Sequence, residues 1–191
     1  MYNQNDKKTD ILLAAVKVFG RDGFHKAKVS DIAAEANIGK GTIYEYFSSK
    51  KSLFEEMIQF CIDEYFNEAN KFIEKRINPI EKLKKYILIE KKMIVKYGDL
   101  ANIFVQEADK IGKEVKNIVL SSRNKKIFQI QKIIDEGIEN GIFKKVDSRA
   151  AALTFIGATH QILIDSLVFG YCKDEELRID TLMDLFLNGI K

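Results

Sequence analysis

The segment from Val29 to Phe47 constrains the fold more than any other part of this 191-residue sequence. Asn37 and Gly39 divide it, and both residue types readily adopt turn geometry. Before the turn, apolar residues recur at positions i, i+3, i+4 and i+7, which form one face of a helix. These residues are Val29, Ile32, Ala33 and Ala36. The sequence therefore predicts a short helix that ends in a tight turn.

A second short helix is predicted directly after the turn. Ile43 and Phe47 lie four residues apart, so both can point into a core from one face of that helix. The remaining positions face outward and carry Lys40, Gly41, Thr42, Tyr44, Glu45 and Tyr46. A helix that buries Ile and Phe while presenting Lys, Thr and Tyr is typical of the second helix of a helix-turn-helix.

This segment and its flanks resemble the signature of the TetR family of bacterial transcription regulators. The resemblance covers roughly residues 7–54 and rests on Gly39–Phe47, Lys50–Phe54, Ile11–Phe19 and Gly23-Phe24. It implies an all-α fold in which a three-helix DNA-binding domain precedes a bundle that forms a dimer and binds a small effector. Two positions depart from the family. Ala27 and Lys28 stand where the family usually has Thr or Ser, so the cap of the second helix shifts to Ser30 or is absent. Ser30 stands where the family often has Arg or a similar residue.

The resemblance also implies which residues touch DNA. Lys can donate to a guanine edge or a phosphate, Thr can contact a thymine methyl, and Tyr hydroxyls can reach phosphates. Glu45 is repelled by DNA unless it accepts from a cytosine amino group or pairs with a neighbouring Lys. One of the two Tyr could instead pack inward. The predicted DNA-binding residues are Lys28, Ser30, Gly39, Lys40, Gly41, Thr42, Tyr44, Glu45, Tyr46 and Lys50.

Charge and composition agree with a DNA-binding segment in a globular protein. The formal net charge is +3, and all of it lies in residues 1–52, which contain nine Lys and Arg and six Asp and Glu. Phosphate neutralisation requires such a bias, although a solvated basic face would look the same. Cys61 and Cys172 have no metal-ligand or redox spacing. We expect a reduced, cytoplasmic protein without metal or cofactor, and no signal peptide or membrane-spanning apolar run.

The chain reads as about nine helices. The DNA-binding domain is predicted over residues 1–50 and the effector-binding and dimerisation domain over 51–191. Helices are expected at about 9–21 with a stop at Gly23, at the two short segments, and from Lys50 to Ile77 before Asn78-Pro79. Further helices are expected at 80–97 before Gly98, at 99–109, at 113–140 before Gly141, from the cap Asp147 to Phe169, and from Asp174 to Leu187.

The last two helices are the predicted dimer interface. The segment Ala150 to Phe169 is nearly continuous in apolar and small residues and should be buried on most sides. The final helix adds an apolar face of Leu177, Ile179, Leu182, Met183, Phe186 and Leu187. By the resemblance, two helices from each subunit form a four-helix interface, whereas packing within one chain is the alternative.

An effector pocket is predicted between the long helices. Its aromatic and polar lining would be Phe60, Tyr65, Phe66, Tyr86, Met93, Phe104, Phe128, Phe155 and His160, although each residue, including His160, could be plain core. Three stretches resemble TetR-type repressors of fatty-acid degradation, which respond to acyl-coenzyme A: Asp135–Ile138, Gly141–Phe143 and Phe155–Gly157. The sequence thus predicts a repressor released from a palindromic operator by a small hydrophobic effector.

Other functions fit the residues less well. A constitutive DNA-binding protein with a solid bundle, or an activator, remains an alternative. Catalysis lacks support, because His160 and Asp165 lie five residues apart, which is not a helical pairing distance. Gly39-Lys40-Gly41-Thr42 is not a Walker loop, because Ala34 occupies the position of its first glycine.

Overall fold

The computed structural model describes residues 7–107, 112–167 and 175–190, without the side chains of 99–107 and 175–177. All regular structure within these residues is α-helical, which confirms the predicted fold class. The described helices are α1 (Lys7–Lys26), α2 (Val29–Glu35), α3 (Lys40–Tyr46), α4 (Lys50–Ile73), α5 (Pro79–Glu107), α6 (Lys113–Glu139), α7 (Ser148–Leu167) and α8 (Glu175–Ile190).

The predicted break at Gly98 is wrong, because α5 is 29 residues long and continues through that position to Glu107. A glycine inside a helix costs only about 1 kcal/mol relative to alanine, which a long packed helix tolerates. The start of α5 is well marked. The Asn78 side chain accepts a hydrogen bond from the Ile80 amide at 2.8 Å, and Pro79 occupies the first helical position. The predicted ends at Phe169 and Gly170 lie outside the described residues.

The chain packs as two compact units. Unit one comprises the residues up to Glu64 together with Tyr97–Val119, and unit two comprises Tyr65–Lys96 and the residues from Leu120 onward. Helices α4, α5 and α6 each contribute residues to both units. The functional boundary expected near residue 50 is a separate division and stays a prediction.

Unit one is built around the apolar face of α1. Gly23 has a φ of 73°, which breaks the helical path and is strained for any residue with a Cβ. Beyond this kink, the centre of the Phe24 ring lies 4.9 Å from that of the Phe54 ring, and the centre of the Phe19 ring lies 5.0 Å from that of Phe54. These rings join α1 to the start of α4, while α2 packs on both α1 and α3.

Unit two contains the ends of α6 and α7 that the sequence marked. Gly141 has a φ of 69°, and the Ile142 amide donates to the Gly137 carbonyl at 2.8 Å, which closes α6. The Phe143 ring then lies against Gly137 so closely that a Cβ there would stand 2.1 Å from it. Gly137 therefore permits the chain to fold back over the last turn of α6.

Helix α7 buries one face, not most of its surface as expected. Its buried residues recur at helical spacing and are Ala152, Phe155, Thr159, Leu163 and Ser166. Leu153, on another face, is 39% exposed. By length and composition α7 could cross a membrane, contrary to the expectation that no apolar run reaches that length. A single buried stripe that also carries Ser and Thr is the pattern of a helix in a bundle.

The N-terminal cap of α7 gives a direct test of the fold. The Asp147 carboxylate accepts from the amides of Arg149 and Ala150 at 2.9 and 3.0 Å, as the sequence predicted. We expect Asp147→Ala to lower the free energy of unfolding by about 1 kcal/mol, because those amides lose their partner. Asp147→Asn, which also caps, should stay close to the parent protein. Urea denaturation of the three proteins measures this, and equal losses for both variants would contradict the capping role.

Candidate functional site

The turn between α2 and α3 sets the direction of α3. Asn37 adopts a left-handed conformation with a φ of 54°, and the Ile38 amide donates to the Ala33 carbonyl at 3.0 Å. Asn tolerates this conformation better than most residues. Gly39 then precedes α3 in an extended conformation, and its carbonyl accepts from the Thr42 amide at 3.0 Å. The two short helices and their tight turn match the helix-turn-helix expected from the sequence.

The faces of α3 differ sharply in exposure. Ile43 and Phe47 are each 1% exposed, so both anchor the segment in the core of unit one as predicted. Tyr44 and Tyr46 are 48% and 39% exposed, which excludes the alternative that one of them packs inward. The Lys40 ammonium lies 5.9 Å from the centre of the Tyr44 ring. The free face of α3 therefore presents hydroxyls and a cation together.

Gly39 and Gly41 leave open space on the same face. Neither has a positive φ, and a Cβ built on either would meet no atom within 4 Å. The fold itself thus does not require glycine at these positions. The room beside the backbone is available to another molecule, as a close approach to DNA would need.

Helix α2 lacks a side-chain cap. Its cap position is Lys28, whose side chain makes no capping hydrogen bond, and the Ser30 hydroxyl instead donates to the Asp31 carboxylate at 3.2 Å. Of the two outcomes expected here, the absent cap is the observed one. The Asp31 amide donates to the Lys28 carbonyl at 3.0 Å, so the amides of Val29 and Ser30 are the ones that keep the capacity to bind an outside acceptor such as a phosphate.

Lys50 has a structural partner that the sequence did not reveal. Its ammonium donates to the carbonyls of Ala27 at 2.8 Å and His25 at 3.2 Å, and it lies 4.9 Å from the Phe24 ring centre. Carbonyls left over at the end of a helix attract cations. Lys50 thus fastens the end of α1 to the start of α4, and its contact with DNA stays a prediction.

Unit two brings four of the predicted effector residues into one row of rings. The Tyr65 ring centre lies 5.1 Å from that of Phe66 and 6.4 Å from that of Tyr86. Tyr86 lies 5.7 Å from Phe155, which in turn lies 5.0 Å from Phe186. We call these five residues the ring row. All five are buried, so a continuous row of aromatic rings runs through the interior of unit two.

The other predicted effector residues lie elsewhere. Phe60 belongs to unit one, where it lines a cleft of about 150 Å³ beside Lys8 and α4 carboxylates. Phe128 is 56% exposed, which corrects the interior position expected for it. The buried face of α6 is formed by Ile127, Ile130, Ile133 and Ile134, so Phe128 falls outside it. Met93 is buried in unit two, and the side chain of Phe104 lies outside the described residues.

A buried carboxylate adjoins the ring row and was missed by sequence reasoning. Glu90 is 6% exposed and accepts from the Lys126 ammonium at 2.9 and 3.0 Å. The His160 Nδ1 lies 3.6 Å from the same carboxylate, although the His160 side chain is 53% exposed and hence not a core histidine. Burial opposes ionisation of Glu90, but His160 and Lys126 outweigh it and hold the pKa of Glu90 below its ordinary value. The available signal was its position one helical turn after Tyr86.

The hydroxyls of Tyr65 and Tyr86 end in this buried region. Burial and the charge of Glu90 raise the pKa of both tyrosines well above the ordinary value, so both hydroxyls carry their protons. Among the described residues, neither hydroxyl finds a partner at hydrogen-bonding geometry. In the same described part of the chain, no group of three or more His, Cys, Asp or Glu could hold a metal ion. The protonated hydroxyls of Tyr65 and Tyr86 can act as hydrogen-bond donors.

Known proteins resemble this chain along most of its length. Residues 11–57 match the family model described as bacterial regulatory proteins, tetR family, and residues 76–163 match that of the tetracyclin repressor-like C-terminal domain. The transcriptional repressor KstR2 of Mycobacterium tuberculosis is 25% identical over 73% of this chain and 70% of its own. The fatty acid metabolism regulator protein of Bacillus subtilis is 24% identical over 100% and 98% of the two chains.

A solved structure shares the fold. The regulator FadR from Bacillus subtilis, crystallised in complex with stearoyl-CoA, aligns with a TM-score of 0.78 and 23% identity. The alignment covers 96% of this chain and 99% of FadR. The helical architecture described above is thus shared with FadR.

Replacing Lys50 tests its structural contacts. We expect Lys50→Met, which keeps an unbranched apolar stem, to lower the free energy of unfolding by about 1–3 kcal/mol, because two carbonyls lose a charged donor. Lys40→Met, on the exposed face of α3, should change it by no more than about 0.5 kcal/mol. Urea denaturation of both variants provides the measurement. An unchanged stability in Lys50→Met would show that the contacts with Ala27 and His25 contribute nothing.

Proposed function

Because the chain belongs to the TetR family of bacterial regulatory proteins, we propose that it is a transcriptional repressor released from its operator by a hydrophobic effector of the acyl-coenzyme A class. The observation that carries the DNA-binding part is the exposed face of α3, held outward by the buried Ile43 and Phe47. Its relatives are regulators, and a regulatory role accounts for the site without catalysis. We place the protein in the cytoplasm with its DNA.

The side chains of α3 divide into positioning and reading groups. Tyr44 and Tyr46 offer exposed hydroxyls to phosphates, which fix the register of the helix in the major groove. Lys40 and Thr42 meet base edges or adjacent phosphates. Glu45 is exposed and reads a cytosine amino group, since that is the favourable partner for a carboxylate in the groove. Lys28 and Ser30, at the uncapped start of α2, contact the sugar–phosphate backbone of the DNA.

A dimer supplies a second helix-turn-helix to the operator. The face of α7 that the single chain leaves exposed carries Leu153, and Leu185 on α8 is 69% exposed. Packing of these helices against a second copy removes this apolar surface from water and pairs the two chains around a two-fold axis. The operator is then near-palindromic, with half-site centres about 34–36 Å or a multiple apart.

The effector binds in unit two. Unit two has a row of aromatic rings in its interior, whereas the first three helices are too small to enclose a ligand. One similar protein is named a fatty acid metabolism regulator, and the similar regulator FadR was crystallised with stearoyl-CoA. Helix α4 begins at Lys50 and contributes its last residues to unit two, so it is a continuous covalent route between effector and DNA. A tenfold change in DNA affinity needs about 1.4 kcal/mol of effector preference for one conformation.

Gly41→Ala separates DNA binding from folding. The added methyl group meets no atom of the protein, and alanine favours the helix, so thermal stability should stay equal or rise. Operator affinity should fall at least about fivefold if the α3 backbone lies against DNA, because the methyl group occupies that space. Fluorescence anisotropy with a labelled operator measures the affinity. Unchanged affinity in a fully folded variant would remove α3 from the groove.

Acyl-coenzyme A species provide the test of the effector. Titration of the protein–operator complex with chains of 4 to 18 carbons should release DNA, with longer chains acting at lower concentration because each buried CH₂ adds about 0.8 kcal/mol. Free coenzyme A is the control and should release nothing. Release by none of the thioesters would reject this effector class while leaving the DNA-binding proposal intact.

A further inference from the structure

We propose that Tyr65 and Tyr86 bind the carbonyl oxygen of the effector and thereby select a thioester over a molecule of the same length without that carbonyl. This inference rests on the proposed function, because it concerns the head group of the same hydrophobic effector. It assigns specificity to two hydroxyls, where the rings around them supply only apolar surface.

The first support is the burial of two hydroxyls that lack partners. Tyr65 is 7% exposed and Tyr86 is 3% exposed, yet neither hydroxyl makes a hydrogen bond of good geometry within the described residues. A buried polar group without a partner is unfavourable and rare in native proteins. These two groups lie on neighbouring rings, whose centres are 6.4 Å apart, and they provide two donors for one acceptor.

The second support is the pairing of the neighbouring carboxylate, Glu90, with Lys126. Glu90 lies beside these hydroxyls, but its two oxygens accept from the Lys126 ammonium, and neither tyrosine hydroxyl reaches them at hydrogen-bonding geometry. The Lys126 ammonium also lies 4.5 Å from the Tyr65 ring centre and 6.0 Å from that of Tyr86. Lys126 thus holds Glu90 and both rings in place while the hydroxyls keep their protons for another partner.

The same carboxylate decides which acceptor fits. A free carboxylate would enter a buried site whose nearest ammonium, Lys126, is already paired with Glu90, and burial of an unpaired charge is costly. A free carboxylate is therefore disfavoured, whereas the uncharged oxygen of a thioester carbonyl accepts from both hydroxyls. A ligand whose alkyl chain lies along the ring row would bring such a carbonyl to the tyrosines.

The experiment compares palmitoyl-coenzyme A with S-hexadecyl-coenzyme A, a thioether that replaces the carbonyl by a methylene. Operator release is titrated for the parent protein, Tyr65→Phe and Tyr86→Phe. In the parent, the thioether should need at least about tenfold more ligand for half-release, because the hydroxyls stay unpaired. In each Phe variant this ratio should fall to about 1–3, mainly through weaker action of the thioester. Free palmitate should release no DNA from any of them.

Tyr97→Phe is the matched control. The Tyr97 hydroxyl already donates to Glu64 in unit one, so its removal should leave the thioester preference at the parent value. Without ligand, Tyr65→Phe and Tyr86→Phe should melt at or above the parent temperature, because each removes a buried polar group that has no partner.

The contrary results are distinct. A thioester preference that is absent in the parent, or that persists in both Phe variants, would overturn the carbonyl assignment even if palmitoyl-coenzyme A releases DNA. Loss of stability in both Phe variants with an unchanged preference would show a purely structural role. Failure of every acyl-coenzyme A to release the operator would instead reject the effector class, and with it this inference.

Discussion

Ile43 and Phe47 fix the orientation of a helix that could not form alone. Helix α3 has seven residues, and isolated helices of that length are unstable in water. Burial of each large apolar side chain contributes about 1.5–3 kcal/mol, so these two residues hold the helix and determine which side chains remain outside. The exposure of Tyr44 and Tyr46 follows from that constraint. The contacts of Lys50 with the carbonyls at the end of α1 fasten this helix to the start of α4.

Unit two buries polar groups within an apolar interior. A buried carboxylate is costly unless it is paired, and Lys126 and His160 together supply the pairing for Glu90. With Glu90 paired, the hydroxyls of Tyr65 and Tyr86 remain buried without a partner among the described residues, as do those of Thr159 and Ser166 on α7. The groups proposed to contact DNA are thus exposed and those proposed to contact the effector are buried, so the proposed activities lie in different parts of one chain.

Periodicity and turn chemistry in the sequence were enough to predict the helix-turn-helix, the break at Gly23, the closing of α6 at Gly141 and the cap at Asp147. Each depends on residues a few positions apart. Gly98 misled because a helix interior tolerates one glycine when packing compensates. Phe128 misled because its hydrophobicity does not show which face of α6 it occupies. The pairing of Glu90 with Lys126 joins residues 36 apart, and the bonds of Lys50 reach back more than 20 positions, so neither followed from local pattern.

Hydrogen–deuterium exchange tests the account most directly, because it reports on both sites in one protein. Operator DNA should slow exchange in α2 and α3, whereas palmitoyl-coenzyme A should slow exchange in the α4, α5 and α7 segments of unit two. Added to the DNA complex, the thioester should restore fast exchange in α3 while it protects unit two. Protection by the thioester within α3 itself, or DNA protection that persists with unit two fully occupied, would contradict a repressor controlled from a separate internal site.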